Sequence, residues 1–174
     1  DAGVQTVFAS NVRQPDEVRT LLDYCLYPPD GTRGMFISHT PAVDFSVTTD
    51  VAAVTRFQNE NMLLGLNIET VEAVEQLEEI LMPGVGFALV GHEDLSQAYG
   101  LPGQFEHPRI LDAKARVRAL CKERGIRYIG VAFSPETIAA EVAGGADLIL
   151  YGGVVPWIRA GVTAGVNALR AATD

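Results

Sequence analysis

Apolar positions fall into two alternating rhythms along this chain. Compact apolar runs at Val4–Ala9, Met62–Ile68, Gly86–Val90, Tyr128–Phe133 and Asp147–Tyr151 have the length and near-continuous hydrophobicity of buried strands. Between them, apolar residues recur at helical spacing: Val18, Leu21, Leu22 and Cys25; Val74, Leu77, Ile80 and Leu81; Trp157, Ile158, Val162, Val166 and Leu169. Cap and turn residues bound these helices. Pro15-Asp16-Glu17 opens the first, with proline at an initial helical position and acids in the first turn, and Tyr27-Pro28-Pro29-Asp30-Gly31 closes it. A second helix is predicted over Val51–Asn59. Thr70 caps a helix that runs to Pro83-Gly84, and Pro108 opens one that Gly125 stops after Arg124. Ser134-Pro135-Glu136 starts another that Gly144-Gly145 close, and the last covers about Pro156 to Ala172. The stretch from Gly34 to about Thr49 has little periodicity, and loops of that length are often functional. Glu93–Gly100 reads as a turn region.

Strand and helix thus alternate about five times at a spacing of ~25–40 residues, which predicts a parallel α/β sheet. An eight-stranded barrel takes about 250 residues. This chain has 174, and it starts in a turn and a strand with no initiator methionine. It is therefore expected to be a single barrel domain over residues 1–174 that lacks roughly its first three βα units and begins inside a longer protein. The rival is a complete doubly wound sheet, but no Gly-x-Gly-x-x-Gly follows the first strand.

Composition narrows the function classes. Hydrophobic residues at 48% and charged residues at 20% describe a folded soluble chain. No apolar run approaches the ~20 residues of a membrane span, and no signal segment is visible. Thirteen basic against 22 acidic residues give a formal charge of −9, with no basic stripe for nucleic acid. Lys114, Arg116, Arg118, Lys122 and Arg124 recur at helical spacing and read as the solvated face of one helix. Cys25 and Cys121 are far apart in helical stretches, so they read as small apolar residues of a reducing cytoplasm rather than a disulfide or a zinc site.

Candidate chemistry sits at the far ends of two successive apolar runs, in Glu69 and Asp94. Neighbouring parallel strands lie ~4.8 Å apart. Carboxylates at their ends would converge on one rim and suit a divalent cation, which takes hard oxygen ligands. That rim is where barrels place catalytic groups. The blander readings are a first-turn acid for Glu69 and an ordinary loop aspartate for Asp94. Asn67 alternates onto a different face from Ile68, to bond substrate or water or to be a satisfied interior amide. His92 is the only histidine near the acidic pair, a candidate base or metal-supporting residue against an exposed loop position. His107 serves the turn before Pro108, and His39 in the long loop has no assigned role. Arg33 either binds a carboxylate tail of the substrate or holds its own loop through carbonyls.

Several motifs recur in a familiar order: Asp1-Ala-Gly-Val, Tyr27-Pro-Pro-x-Gly31-x-Arg33-Gly34, Asn67-Ile-Glu69-Thr70-Val-Glu-Ala73, Leu77-x-x-Ile80, Pro83-Gly84-Val85, Gly91-x-x-Asp94-Leu-Ser96 and Gly100-x-Pro-Gly-x-x-x-His107-Pro108. Together they span essentially the whole chain. In this the sequence resembles the class II pyruvate-dependent, metal-dependent aldolases, the family of 4-hydroxy-2-oxo-heptanedioate aldolase within the citrate lyase β-like superfamily.

The resemblance implies a TIM (β/α)8 barrel of the phosphoenolpyruvate/pyruvate type, assembled as a homo-oligomer, a trimer of dimers that exchange the last helix. It implies cleavage of 4-hydroxy-2-oxo acids to pyruvate and an aldehyde, or the reverse condensation. Glu69 and Asp94 match the holders of Mg2+ or Mn2+. The loop of Gly91, Glu93 and Asp94 matches the one whose backbone N–H groups meet the pyruvate carboxylate. There are departures. His92-Glu93 stands where many members carry Pro-Ala, and Val154-Val155 replaces polar residues. The family's keto-polarising arginine and its His–Asp acid/base pair have no match here and are expected outside this chain. A related carbon–carbon lyase acting on an acyl-CoA ester such as citramalyl- or malyl-CoA, and an inactive metal-binding scaffold of the same fold, remain the alternatives.

Overall fold

The structure, a computed structural model, describes residues 3–36, 40–43, 45 and 50–173. Asp1 and Ala2 of the opening motif and His39 lie outside the described residues. Five strands, β1 (Thr6–Ala9), β2 (Leu63–Ile68), β3 (Val85–Val90), β4 (Arg127–Ala132) and β5 (Leu148–Tyr151), pair in the order β1-β2-β3-β4-β5. Every pairing is parallel. The order follows the chain without a reversal. A doubly wound sheet would reverse at its switch point, so the winding is that of a barrel.

The chain divides after Tyr128 into two compact units. In the first, β1 pairs β2 from Thr6↔Leu63 to Ala9↔Leu66, and β2 pairs β3 up to Ile68↔Val90. The first residues of β4 pair β3 at Phe87↔Arg127 and Ala88↔Tyr128. The helices of this unit are α1 (Pro15–Cys25), α2 (Val51–Asn61), α3 (Val71–Glu75), α4 (Leu77–Ile80), α5 (His92–Ala98) and α6 (Pro108–Arg124). In the second unit, Ile129–Ala132 pairs Leu148–Tyr151, with α7 (Pro135–Ala143) and α8 (Val154–Thr173).

The core of the first unit explains the continuous apolar runs. Leu64, Leu66 and Ile68 of β2 and Ala88 and Val90 of β3 are buried together with Val18, Leu77, Ile80, Ile110 and Val117 from the helices. Gly65 and Asn67 occupy the alternate face of β2. There Phe8 and Phe87, its partners in the ladder, stack with ring centroids 5.7 Å apart. A Cβ on Gly65 would fall 2.0 Å from the Phe87 ring, so only glycine admits this packing.

Local signals set most boundaries. His107 Nδ1 accepts from Arg109 N at 3.2 Å before Pro108, and Gly125 ends α6 at φ 68°, a conformation that favours glycine. Thr70 Oγ1 accepts from Ala73 N at 3.1 Å and donates to Val12 O at 2.8 Å, so one hydroxyl caps α3 and pins the β1 loop. Arg33 lies over the Tyr27 ring at 4.3 Å, and its Nη1 donates to Cys25 O at 3.4 Å, the loop-holding role.

Three expectations change. The helix foreseen from Thr70 to Pro83 breaks at Gln76, whose Nε2 donates to Arg13 O at 3.2 Å and to Glu72 O at 3.4 Å. The turn region after β3 is instead helix α5, with Leu95 and Ser96 buried and Ser96 Oγ donating to Glu93 O at 2.7 Å. The cations of α6 are more than a solvated face. Arg116 pairs with Glu78 at 3.5 Å, Arg124 donates to Leu81 O at 2.8 Å, and Arg118 lies over Tyr128 at 4.9 Å. Neither Cys25 nor Cys121 is joined in a disulfide. Among the described residues no helix is long and apolar enough to cross a membrane.

Candidate active site

Every residue of the site belongs to the first unit. Strand β2 ends at Ile68 and delivers Glu69; β3 ends at Val90 and passes through Gly91 into α5, whose first turn carries Asp94. Gly91 N donates to Ile68 O at 3.1 Å, so the ladder continues past both strand ends and brings the two acids together. Gly91 is also what gives them room. A Cβ there would stand 2.6 Å from Glu69 Oε2 and 2.7 Å from Asn67 Oδ1.

Glu69 is only 6% exposed. Its Oε1 accepts from Asn11 N at 2.6 Å, and its Oε2 accepts from Asn67 Nδ2. These bonds occupy the carboxylate from outside its own helix, so Glu69 is no simple first-turn acid. Asp94 comes within hydrogen-bonding reach of it. Burial first, then the charge and hydrogen bond of Asp94, push the Glu69 carboxyl above its ordinary value, against the pull of the Asn11 N–H and the Asn67 amide. Two carboxylates so placed repel one another, which a cation bound between them would relieve.

Asn67 supplies a second sign. Its Nδ2 is turned to Glu69, which leaves Oδ1 buried without a hydrogen-bond partner among the described residues. A buried carbonyl oxygen without a donor is costly and calls for one. Two carboxylates and an open amide oxygen form an all-oxygen set, which fits Mg2+ or Mn2+ better than softer metals. Among the described residues no group of three His, Cys, Asp or Glu side chains gathers as a metal cage. Held by these oxygens, such an ion would keep coordination positions for substrate and water.

Glu69 and Asp94 open onto a cavity of about 490 Å3, whose walls include Asn11, Arg13, Glu72 and Gln97. Other sequence candidates lie behind or beside it. Asn67 and Gly91 back Glu69. His92 is half-buried and packs edge-on against Phe105 at 4.8 Å, and neither it nor the exposed Glu93 forms part of the cavity wall. Asn11 and Arg13 escaped the sequence reading. Their signal was position alone, just past the end of β1 on the same rim. Asn11 takes φ 56°, a left-handed conformation that asparagine tolerates, in the same turn that offers its N–H to Glu69.

The profile of HpcH/HpaI aldolase/citrate lyase matches residues 1–155. This chain belongs to that family. It is 35% identical over 131 residues to a hydroxypyruvate/pyruvate aldolase of Sagittula stellata, covering 72% of this chain and 50% of the relative. It is 29% identical over 178 residues to a 2-keto-3-deoxy-L-rhamnonate aldolase of Escherichia coli, covering 98% of this chain and 66% of that one. The crystal structure of an HpcH/HpaI aldolase from Desulfitobacterium hafniense superposes with a TM-score of 0.87 at 26% identity, over 97% of this chain and 64% of its own. The family member described here spans about half to two thirds of the length of these relatives.

Proposed function

We propose that this chain forms the metal-holding part of an aldolase that splits 4-hydroxy-2-oxo acids into pyruvate and an aldehyde, or joins them. The observation that carries the proposal is the Glu69–Asp94 pair, one acid buried and both at the mouth of a polar cavity, with the open Asn67 oxygen behind. Relatives named as pyruvate and hydroxypyruvate aldolases support it. We further propose that the five βα units are part of an eight-unit barrel. The greater length of the relatives and the half-exposed Phe8 on the outer strand β1 support that reading.

In the cleavage direction the C4 hydroxyl loses its proton to a base, the C3–C4 bond breaks, and its electron pair passes to C3. A proton delivered to C3 completes the pyruvate methyl. A bound Mg2+ or Mn2+ would supply the Lewis acid that offsets the negative charge gathering on the oxo acid. Glu69 and Asp94 would hold it. Asn11 N–H and Asn67 Nδ2 fix the Glu69 carboxylate so that no reorganisation is needed at the moment of reaction. The first-turn N–H of Asp94, which lines the cavity, has no acceptor within α5 and suits the oxo-acid carboxylate. The acid/base pair and the keto-polarising arginine are assigned to further chain.

The test is pyruvate release from 4-hydroxy-2-oxo acids by the full-length protein, with and without a chelator. Chelation should stop turnover, and added Mn2+ or Mg2+ should restore it. Glu69→Gln and Asp94→Asn should each lower kcat/KM at least about a hundredfold, beyond the loss typical of residues that merely support a metal ligand, with the circular dichroism spectrum unchanged. Turnover indifferent to the chelator refutes the reading.

A further inference from the structure

We infer that Arg13 binds an anionic group, a carboxylate or a phosphate, at the far end of the substrate, and so selects aldehydes that carry one. The inference rests on the aldolase reading above and deepens it. Arg13 follows β1 by four residues and stands in the wall of the cavity that Glu69 and Asp94 open onto; among the described residues lining that cavity it is the only cationic side chain. Its place is set by two contacts. Nη2 donates to Asn11 Oδ1 at 3.2 Å, and Nη1 donates to Glu72 Oε1 at 3.1 Å. Asn11 in turn gives its backbone N–H to Glu69. The guanidinium is thus tied, through one residue, to the acid that anchors the oxo-acid end.

Three physical points direct this group at a ligand. The first is space. A cavity of about 490 Å3 is of the size that accepts whole small-molecule ligands. Pyruvate alone would leave much of that volume open. The second is donor count. A guanidinium carries five N–H donors in a rigid fork, and two contacts leave the rest available for the bidentate geometry that carboxylate and phosphate prefer. The third is the weakness of the present partner. In the Arg13–Glu72 pair the side chains are 50% and 42% exposed, so solvent screens it and a ligand anion can replace Glu72 at little cost.

A purely structural ion pair, tying the β1 loop to α3, makes a different prediction. Loss of either partner would then act in the same direction. If Glu72 instead competes with substrate for Arg13, the two losses act in opposite directions.

The experiment uses the full-length, Mn2+-loaded protein and three 4-hydroxy-2-oxo acids of matched length ending in a carboxylate, a phosphate or a hydroxymethyl group, followed by pyruvate release. The wild type should favour at least one anionic substrate over the neutral one by at least about tenfold in kcat/KM. Arg13→Gln should shrink that preference at least about tenfold, chiefly through KM, and Arg13→Lys should keep part of it as a point charge without the fork. Glu72→Gln should lower KM for the anionic substrate. The two anionic arms tell carboxylate from phosphate. A preference unchanged by Arg13→Gln, a wild type without anionic preference, or KM shifts of one sign in the Arg13 and Glu72 variants overturns the inference. So does a folded Arg13→Gln that loses all substrates equally. If that variant fails to fold, Arg13→Lys and Glu72→Gln carry the test. A wild type that releases pyruvate from none of the three refutes the aldolase reading itself, and this inference with it.

Discussion

A buried carboxyl group beside a second carboxyl group can be held there by a shared proton or by a cation. Glu69 is in that situation, and its pH dependence follows. Its folded-state pKa lies above the ordinary 4.5. Between those values the folded chain keeps a proton that the unfolded chain gives up, so the stability tied to Glu69 is complete below the ordinary value and is lost as pH rises through the raised one. In metal-free protein the melting temperature of the wild type should fall relative to Glu69→Gln across that window. Saturating Mn2+ should reverse the fall, because the ion takes the place of the proton. Differential scanning calorimetry of both proteins from about pH 4 to about pH 8 reads this directly. A wild-type advantage that grows with pH before metal is added contradicts it. Glu69 and Asp94 were visible in the sequence because each closes an apolar run. Arg13 was not, because a cation past a strand end resembles any loop cation until the cavity beside it is known. Nor could spacing show that Asn67 would spend its amide on Glu69 and leave its oxygen open.

Strand β2 shows how one element serves both core and chemistry. Leu64, Leu66 and Ile68 bury one face, while Gly65, Asn67 and the following Glu69 form the other. Gly65 lets the Phe87 ring lie across the strand, which forms an aromatic floor with Phe8 beneath the polar groups. Gly65→Ala should therefore force the ring aside and cost about 1–3 kcal/mol, the usual penalty for overpacking a filled core. Chemical denaturation should show a lower midpoint with an unchanged slope, and an unaltered midpoint would mean the ring gives way freely. Elements written in local code were legible: α6 runs from Pro108 to Arg124 between its proline and its glycine, as the sequence predicts. Elements set from a distance were not. Gln76, where the helix breaks, reaches the carbonyl of Arg13, far away in sequence, and α5 is seven residues long, too short for a helical period to emerge.

For the chain as a whole, alternation of strand and helix announced a parallel sheet but could not separate a barrel from a doubly wound sheet. The unreversed strand order does. The second unit poses a separate question. Helix α8 is 20 residues long and buries none of them, and Trp157, Ile158, Val162 and Leu169 are all more than half exposed. A stripe of that extent marks an interaction surface in water. We propose that the protein is a homo-oligomer in which this helix is exchanged between subunits, as the likeness to the pyruvate aldolases implies. Light scattering should return a mass several times that of one chain. Ile158→Asp with Val162→Asp should lower it to that of one chain, and a wild type already monodisperse at one chain contradicts the proposal.

Gly91 contributes nothing by way of a functional group, yet it constrains what this protein can become. A methyl there would overlap the tips of the Glu69 and Asn67 side chains, so a substitution has to push both groups from where they now sit. Variation that leaves those groups in place has to enter elsewhere in the cavity wall, through residues such as Arg13, Glu72 and Gln97. The lining should therefore diversify around a still point that itself stays blank.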